Sequence, residues 1–175
     1  DRDTQFDWPR ASGAIFHEAC HARYSRWSME AAHASLSSSE FEALQLLEEG
    51  RIEGFGVKDT PANRGFLRAC ALEIVLGDLD EEGLSKVSTV EAAARLAGLT
   101  LARIDAGVLE ASDLGEVPTL LETLLGEKLL ITLRGLWNEM QMHEDHNDIT
   151  HMYDVARRWV EAIRNEKTER GEEPN

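Results

Sequence analysis

Apolar residues recur at helical spacing along most of this chain, and alternating strand-type runs are scarce. Apolar positions three and four residues apart form one face of a helix, whereas a half-buried strand alternates strictly. Only four prolines interrupt the 175 residues, so long helices are allowed. The sequence therefore predicts an all-α fold, a compact helical domain of about six helices. Six helices are predicted. The first covers about 14–29, and the second begins at the N-caps offered by 37–40 and ends at about 53. The others cover about 62–76, 92–109, 119–142 and 149–165.

Glycines supply the clearest helix boundaries in the sequence. Gly54 and Gly56 are expected to end the second helix, because glycine readily adopts the backbone conformation that follows a helix C-terminus. Gly126 is expected to break the fifth helix. We predict one helical domain over residues 1–168, followed by a disordered charged tail at 169–175.

Composition and charge argue against several classes of protein. The net charge of −15 argues against a nucleic-acid binder, which needs clustered Lys and Arg. No apolar run approaches the roughly 18 residues that span a bilayer, and no signal peptide is recognisable. Cys20 and Cys70 form no CxxC pattern and suit a reducing cytoplasm, which is the expected location. Because the chain opens at Asp1 without Met, we expect it to be a piece of a longer protein.

The segment His17-Glu18-Ala19-Cys20-His21 reads HExxH within a predicted helix. His17 and His21 lie one turn apart on one helix face, so both imidazoles can reach one zinc ion. Glu18 lies beside them, where its carboxylate can take a proton from a water at the metal. The sequence therefore predicts Zn²⁺ as cofactor and Glu18 as the catalytic base.

A zinc site needs a third protein ligand, and the acidic second helix offers two candidates. Glu49 and Glu53 are four residues apart and share a face, so Glu49 can bind metal while Glu53 orients a ligand histidine. Glu48 lies on the apolar face, where a carboxylate is costly unless it is paired or metal-bound. We favour Glu49 and keep Glu48 as the alternative. Without the HExxH, the same acidic residues would be interpreted as an ordinary solvated helix face with Arg51 as a salt-bridge partner.

A second histidine-rich stretch spans residues 143–151. His143 and His146, or Asp148 and His151, have the spacing that can chelate a metal. The stretch is strongly polar and falls between predicted helices, which favours a solvated loop with a helix N-cap at Asn147 or Asp148. A further alternative brings His146 or His151 back to the zinc cleft, where it stabilises an oxyanion or closes the site as a fourth ligand.

Three other residues near these motifs have candidate roles. Cys20 projects to one side of the histidine face, so a buried core residue is favoured over a thiolate ligand. Tyr24 and Tyr153 have hydroxyl groups that can stabilise an oxyanion, although only their chemistry supports that role.

Several aromatic residues and one acid are assigned to the interior. Trp27, Trp137 and Trp159 are expected in the core. Asp105 is a candidate buried acid within an apolar helix, where an arginine partner would be required. Its candidate partners are Arg51, Arg64 and Arg68.

The stretch 15–27 and the following 47–53 resemble a group of bacterial and phage metallopeptidase-like domains. These domains are often encoded next to, or fused with, von Willebrand A-type domains related to a cobalt-chelatase subunit. The similarity extends through 67–72 and 102–109 to 156–159. It implies a gluzincin-like site in which the two histidines and an acid of the second helix bind zinc and Glu18 is the base.

The resemblance also implies partners, and two functions of different classes follow. An adjacent von Willebrand A-type domain or protein is an expected partner. The leading hypothesis is a zinc-dependent peptidase that acts on a peptide or protein substrate. The alternatives are a non-catalytic helical interaction module with a structural or vestigial zinc, and a metal-free adaptor. A structural zinc is closed by a fourth protein ligand, whereas a catalytic zinc keeps one position open.

Overall fold

The computed structural model describes residues 8–77 and 81–172, with backbone alone at 81 and 82. These residues form eight α-helices and no strand, which confirms the all-α prediction but not the number of helices. Single 3₁₀ turns lie at Pro61–Asn63 and Ala111–Asp113. The helices are α1 Trp8–Tyr24, α2 Met29–Ser35, α3 Ser38–Asp59, α4 Arg64–Ile74, α5 Glu81–Ser85, α6 Val90–Asp105, α7 Val117–Met142 and α8 Ile149–Glu169.

Helix α3 is the centre of the arrangement and packs against α1, α6, α7 and α8. A capping box starts it, in which the Ser37 hydroxyl accepts from the Glu40 N–H and the Glu40 carboxylate accepts from the Ser37 N–H. Leu44 and Ile52 on this helix are fully buried. Helix α1 packs against both α3 and α4, so the HExxH helix lies against the acidic helix.

The prediction that α3 ends at Gly54 and Gly56 is wrong, because the helix continues to Asp59. Both glycines allow close packing. A Cβ at Gly54 would lie 3.4 Å from the Ala106 Cβ, and one at Gly56 would lie 2.5 Å from the Cys20 Sγ. Helix α3 therefore needs small residues here for contact with its neighbours, and contact outweighs the low helix propensity of glycine.

The first predicted helix, over about 14–29, begins and ends earlier in the structure, and helix α2 was not predicted. Helix α1 ends at Tyr24, and the separate helix α2 begins after Ser28, whose hydroxyl accepts from the Ala31 N–H at 3.2 Å. The predicted break at Gly126 is confirmed, since Gly126 has a φ of 71° inside α7.

Helix α8 extends to Glu169, four residues beyond its predicted end. The Lys167 side chain is buried and forms an ion pair with Glu91 of α6, which holds the last turn against the core. The predicted tail at 169–175 thus starts at the last residue of α8, and residues 173–175 lie outside the described part of the chain.

The main hydrophobic core contains the expected aromatic residues, and a second, smaller cluster contains Cys20. Trp137 and Trp159 are buried with ring centroids 6.4 Å apart, and Trp27 is partly buried against the same core. Cys20 is buried, as predicted, and burial raises the pKa of its thiol to about 11. A thiol with so high a pKa does not favour the thiolate that binds zinc. No helix in the described ranges is long and apolar enough to cross a membrane.

Replacing Gly13 with alanine is expected to lower the free energy of unfolding by about 3 kcal/mol. Gly13 is buried where α1 meets α4, and an added Cβ would overlap the Phe66 carbonyl oxygen and lie 2.7 Å from the Cys70 Cβ. Backbone atoms cannot move aside as a flexible side chain can. Urea denaturation measures the change. The matched control is Gly135→Ala in α7, which meets no atom within 4 Å and should raise stability slightly.

Candidate metal centre

Two histidines of α1 and one glutamate of α3 converge on a single point. The His17 Nε2 lies 3.3 Å from one carboxylate oxygen of Glu49, and the His21 Nε2 lies 3.3 Å from the other. Three ligand atoms, one from each residue, all lie within 4.8 Å of one another. All three side chains are partly exposed, between 20% and 30%, so the point is reachable from solvent.

The two nitrogen–oxygen distances of 3.3 Å are close to the spacing of ligands around zinc. Ligands about 2.0–2.1 Å from a tetrahedral Zn²⁺ lie about 3.3 Å from one another. A direct hydrogen bond between an imidazole and a carboxylate is shorter, about 2.7–2.9 Å when both groups are charged. Each imidazole thus stands at about this distance from one oxygen of Glu49, while the three ligand atoms together lie within 4.8 Å of one another. Two imidazoles with a carboxylate are a common catalytic zinc donor set.

His17 is held from behind by two charged residues. Its Nδ1 lies 3.0 Å from the Glu53 Oε1, and Glu53 receives two hydrogen bonds from Arg103 of α6, at 2.8 and 3.0 Å. Glu53 and Arg103 are both buried. The contact leaves the His17 Nε2 free to face Glu49, which fits the predicted role of Glu53.

Neighbouring charges shift the pKa values of His17 and Glu53 in opposite directions. The hydrogen bond to Glu53 raises the pKa of His17 above its ordinary value, although burial opposes it. Burial alone would raise the pKa of Glu53, but Arg103 and His17 together lower it below the ordinary value. Glu53 is therefore ionised, and its negative charge makes the His17 imidazole a more basic metal ligand.

His21 is held by a separate chain of hydrogen bonds. Its Nδ1 lies 3.2 Å from the Ser25 hydroxyl, and Ser25 donates at 2.7 Å to the Glu48 carboxylate. Arg51 donates to both oxygens of Glu48, at 2.6 and 2.9 Å. The Nδ1 of each histidine is thus fixed from behind while its Nε2 points toward Glu49.

Glu48, the alternative third ligand, occupies a different place in the structure. Its side chain is fully buried and both of its oxygens are engaged by Arg51 and Ser25. The cost of burying this carboxylate is offset by its arginine partner, so no metal is required there. The structure thus brings Glu49, and not Glu48, to the two histidines.

Glu18 is exposed on α1, next in sequence to His17 and one turn before His21. Among the described residues, no ion pair or hydrogen bond ties its carboxylate to another side chain. Its carboxylate is therefore open to water.

The histidine-rich stretch 143–151 does not join the group. His146 makes edge-to-face contacts with Tyr24 and Phe55, with ring centroids 5.2 and 4.8 Å apart, and its Nδ1 lies 2.8 Å from a guanidinium nitrogen of Arg51. Burial and the nearby Arg51 lower the pKa of His146, so it is a neutral acceptor. His151 instead faces Glu139 of α7 at 3.4 Å.

The predicted cap in this stretch is confirmed, because the Asp148 carboxylate accepts from the His151 N–H at 3.1 Å. The hydroxyl groups of the two predicted tyrosines differ in their contacts. Tyr24 donates to Asp59 at 2.8 Å, and the Tyr153 hydroxyl is buried without a hydrogen-bond partner in the described part of the chain. His146 and His151 are thus not among the residues that the structure gathers around Glu49, and the oxyanion role of the tyrosines stays a prediction.

The predicted partners of Asp105 are wrong. Asp105 accepts two hydrogen bonds from Arg134, at 2.6 and 2.9 Å, and one from the Trp137 indole N–H at 2.8 Å. The three arginines predicted as partners pair with other groups. Arg51 forms an ion pair with Glu48, Arg64 with Glu110 and Arg68 with Asp113, and Arg64 also donates to the Gly107 carbonyl.

Two residues of the centre were missed from the sequence, namely Ser25 and Arg103. Ser25 follows His21 by one helical turn, and this spacing was a usable signal. Arg103 lies 50 residues beyond Glu53, and no local pattern connects them.

Comparison with family models, with curated proteins and with solved structures found no match to this chain.

Proposed function

We propose that this chain is a zinc-dependent metallopeptidase in which His17, His21 and Glu49 hold Zn²⁺. The observation that carries the proposal is the convergence of both Nε2 atoms on one carboxylate, each at 3.3 Å. The hydrogen bonds behind each Nδ1 support it, because ligand histidines are commonly fixed in this way.

Zinc at this point would polarise a peptide carbonyl and lower the pKa of a water molecule. Glu18 takes a proton from the attacking water as the new C–O bond forms, and passes it to the amine nitrogen as the C–N bond breaks. Its exposed position beside the histidines supports this role. The proposed substrate is a peptide segment of another protein, and a von Willebrand A-type domain is the proposed neighbour.

The number of protein ligands favours the catalytic role over the structural one. A structural zinc is closed by four protein ligands, whereas a catalytic zinc has three and an open position. Among the described residues the group contains three, and its partly exposed side chains leave the fourth direction accessible.

The test compares zinc content and peptide hydrolysis in three proteins purified without added metal or chelator. Elemental analysis should find about one zinc per parent chain, loss of zinc in His17→Ala, and full retention in Glu18→Gln. With a quenched fluorescent peptide library, Glu18→Gln should lower hydrolysis by about a hundredfold to ten-thousandfold. The matched control is Glu122→Gln, at an exposed glutamate of α7, which should leave both measurements unchanged.

Two outcomes would contradict the proposal. Absence of zinc from the folded parent would favour the metal-free adaptor. Zinc that is lost in His17→Ala, combined with equal hydrolysis by the parent and by Glu18→Gln, would favour the interaction module with a structural or vestigial zinc.

A further inference from the structure

A cavity of about 490 Å³ lies between α3, α6 and α8. It is lined by the first half of α3, the start of α6 and the second half of α8, whereas the metal group lies between α1 and the second half of α3. Its apolar wall includes Leu46, Trp159 and Ile163. The volume falls within the range of about 300–1,000 Å³ that small-molecule sites occupy.

Three cationic side chains line the same cavity, namely Arg95 of α6 with Arg164 and Lys167 of α8. The Lys167 ammonium is nearly buried and is paired with Glu91. Arg95 and Arg164 have no carboxylate within ion-pair distance in the described ranges. Neither guanidinium group at the rim of this apolar cavity is thus held in an ion pair, although the Arg164 charge is near enough to help lower the pKa of Glu40.

The balance of charge at this place differs from that of the whole chain. The cavity has three cations against two carboxylates, Glu42 and Glu91, and the second of these is already bound by Lys167. The chain as a whole carries −15. An anion is therefore repelled by most of the protein but finds two available guanidinium groups here, each suited to bind a carboxylate through paired N–H donors.

We propose that this cavity binds a small organic carboxylate with an apolar body, its head group between Arg95 and Arg164 and its body against Trp159 and Ile163. The apolar wall excludes a bare inorganic anion as the preferred ligand, because such an anion would leave that wall uncovered. The site is separate from the metal group and does not depend on zinc.

The test uses anilinonaphthalene sulfonate, a fluorescent anion with an aromatic body, on the full chain. The parent should bind one probe molecule, and the double variant Arg95→Gln/Arg164→Gln should bind it at least tenfold more weakly. N-Phenylnaphthylamine, a neutral probe of similar shape, should bind the parent and the double variant equally. The matched control is Lys128→Gln, which removes an exposed cation of α7 outside the cavity. It should leave the affinity for the anionic probe unchanged.

Competition identifies the chemistry of the ligand. Phenylbutyrate should displace the probe, whereas inorganic phosphate at the same concentration should not. Equal affinity of the parent and the double variant for the anionic probe would overturn the proposal. So would equal loss in Lys128→Gln, or displacement by phosphate as effective as that by phenylbutyrate. Circular dichroism should show the same melting curve for all variants, because neither arginine forms an ion pair that the fold requires.

Discussion

Replacing Arg103 with methionine is expected to lower the free energy of unfolding by about 3–5 kcal/mol. The guanidinium is almost fully buried and donates to both oxygens of Glu53, which is buried as well. Methionine fills much of the same volume but leaves the Glu53 carboxylate without its cation. The cost is that of an unpaired buried charge, and urea denaturation of the metal-free protein measures it.

The double variant Glu53→Leu/Arg103→Met separates stability from metal binding. Apolar residues of similar volume should restore most of the lost stability, because a buried ion pair is often no more stabilising than well-packed apolar side chains. Zinc affinity should nevertheless stay about tenfold to a hundredfold below that of the parent, because the His17 Nδ1 has lost its acceptor. Equal recovery of both properties would show that Glu53 does not orient His17.

Acidification supplies an independent check on the same pair. The folded-state pKa of Glu53 lies below its ordinary value, so the stabilisation is complete above the ordinary pKa of a glutamate. It is lost as the pH falls through the lowered value. The stability of the parent should therefore fall toward that of Arg103→Met in this acidic range, and an unchanged difference between them would contradict the assignment.

The parts of the centre predicted from the sequence are those set by helical periodicity. His17 and His21 face the same way because they are four residues apart on one helix, and the same spacing relates Glu49 to Glu53. The structure groups His17, His21 and Glu49 as predicted, and their role in metal binding stays a prediction.

The features that the sequence did not predict arise from contacts between distant segments. Gly54 and Gly56 were expected to end α3, but Ala106 and Cys20 approach them so closely that only small residues fit in a continuing helix. Arg103 comes from α6, and its contact with Glu53 depends on how α6 packs against α3. Local propensity carries no information about such packing, since tertiary contacts routinely override it.

Replacing Glu48 and Glu49 separately with glutamine is expected to give opposite results. Glu49→Gln should lower zinc affinity at least a hundredfold, because the amide replaces the carboxylate that faces both histidines. The stability of the metal-free protein should change by less than about 1 kcal/mol, since the Glu49 side chain is 29% exposed and its contact with Arg103 is long, at 3.4 Å.

Glu48→Gln should instead lower the free energy of unfolding by about 3 kcal/mol, because Arg51 is fully buried and loses its counter-charge. The folded variant should still bind one zinc, about tenfold more weakly, because Glu48 reaches His21 only through the Ser25 hydroxyl. Isothermal titration with zinc, together with urea denaturation after chelation, measures both properties. If Glu48→Gln abolishes zinc binding in folded protein while Glu49→Gln binds zinc like the parent, then Glu48 is the third ligand and α3 must rotate when the metal binds.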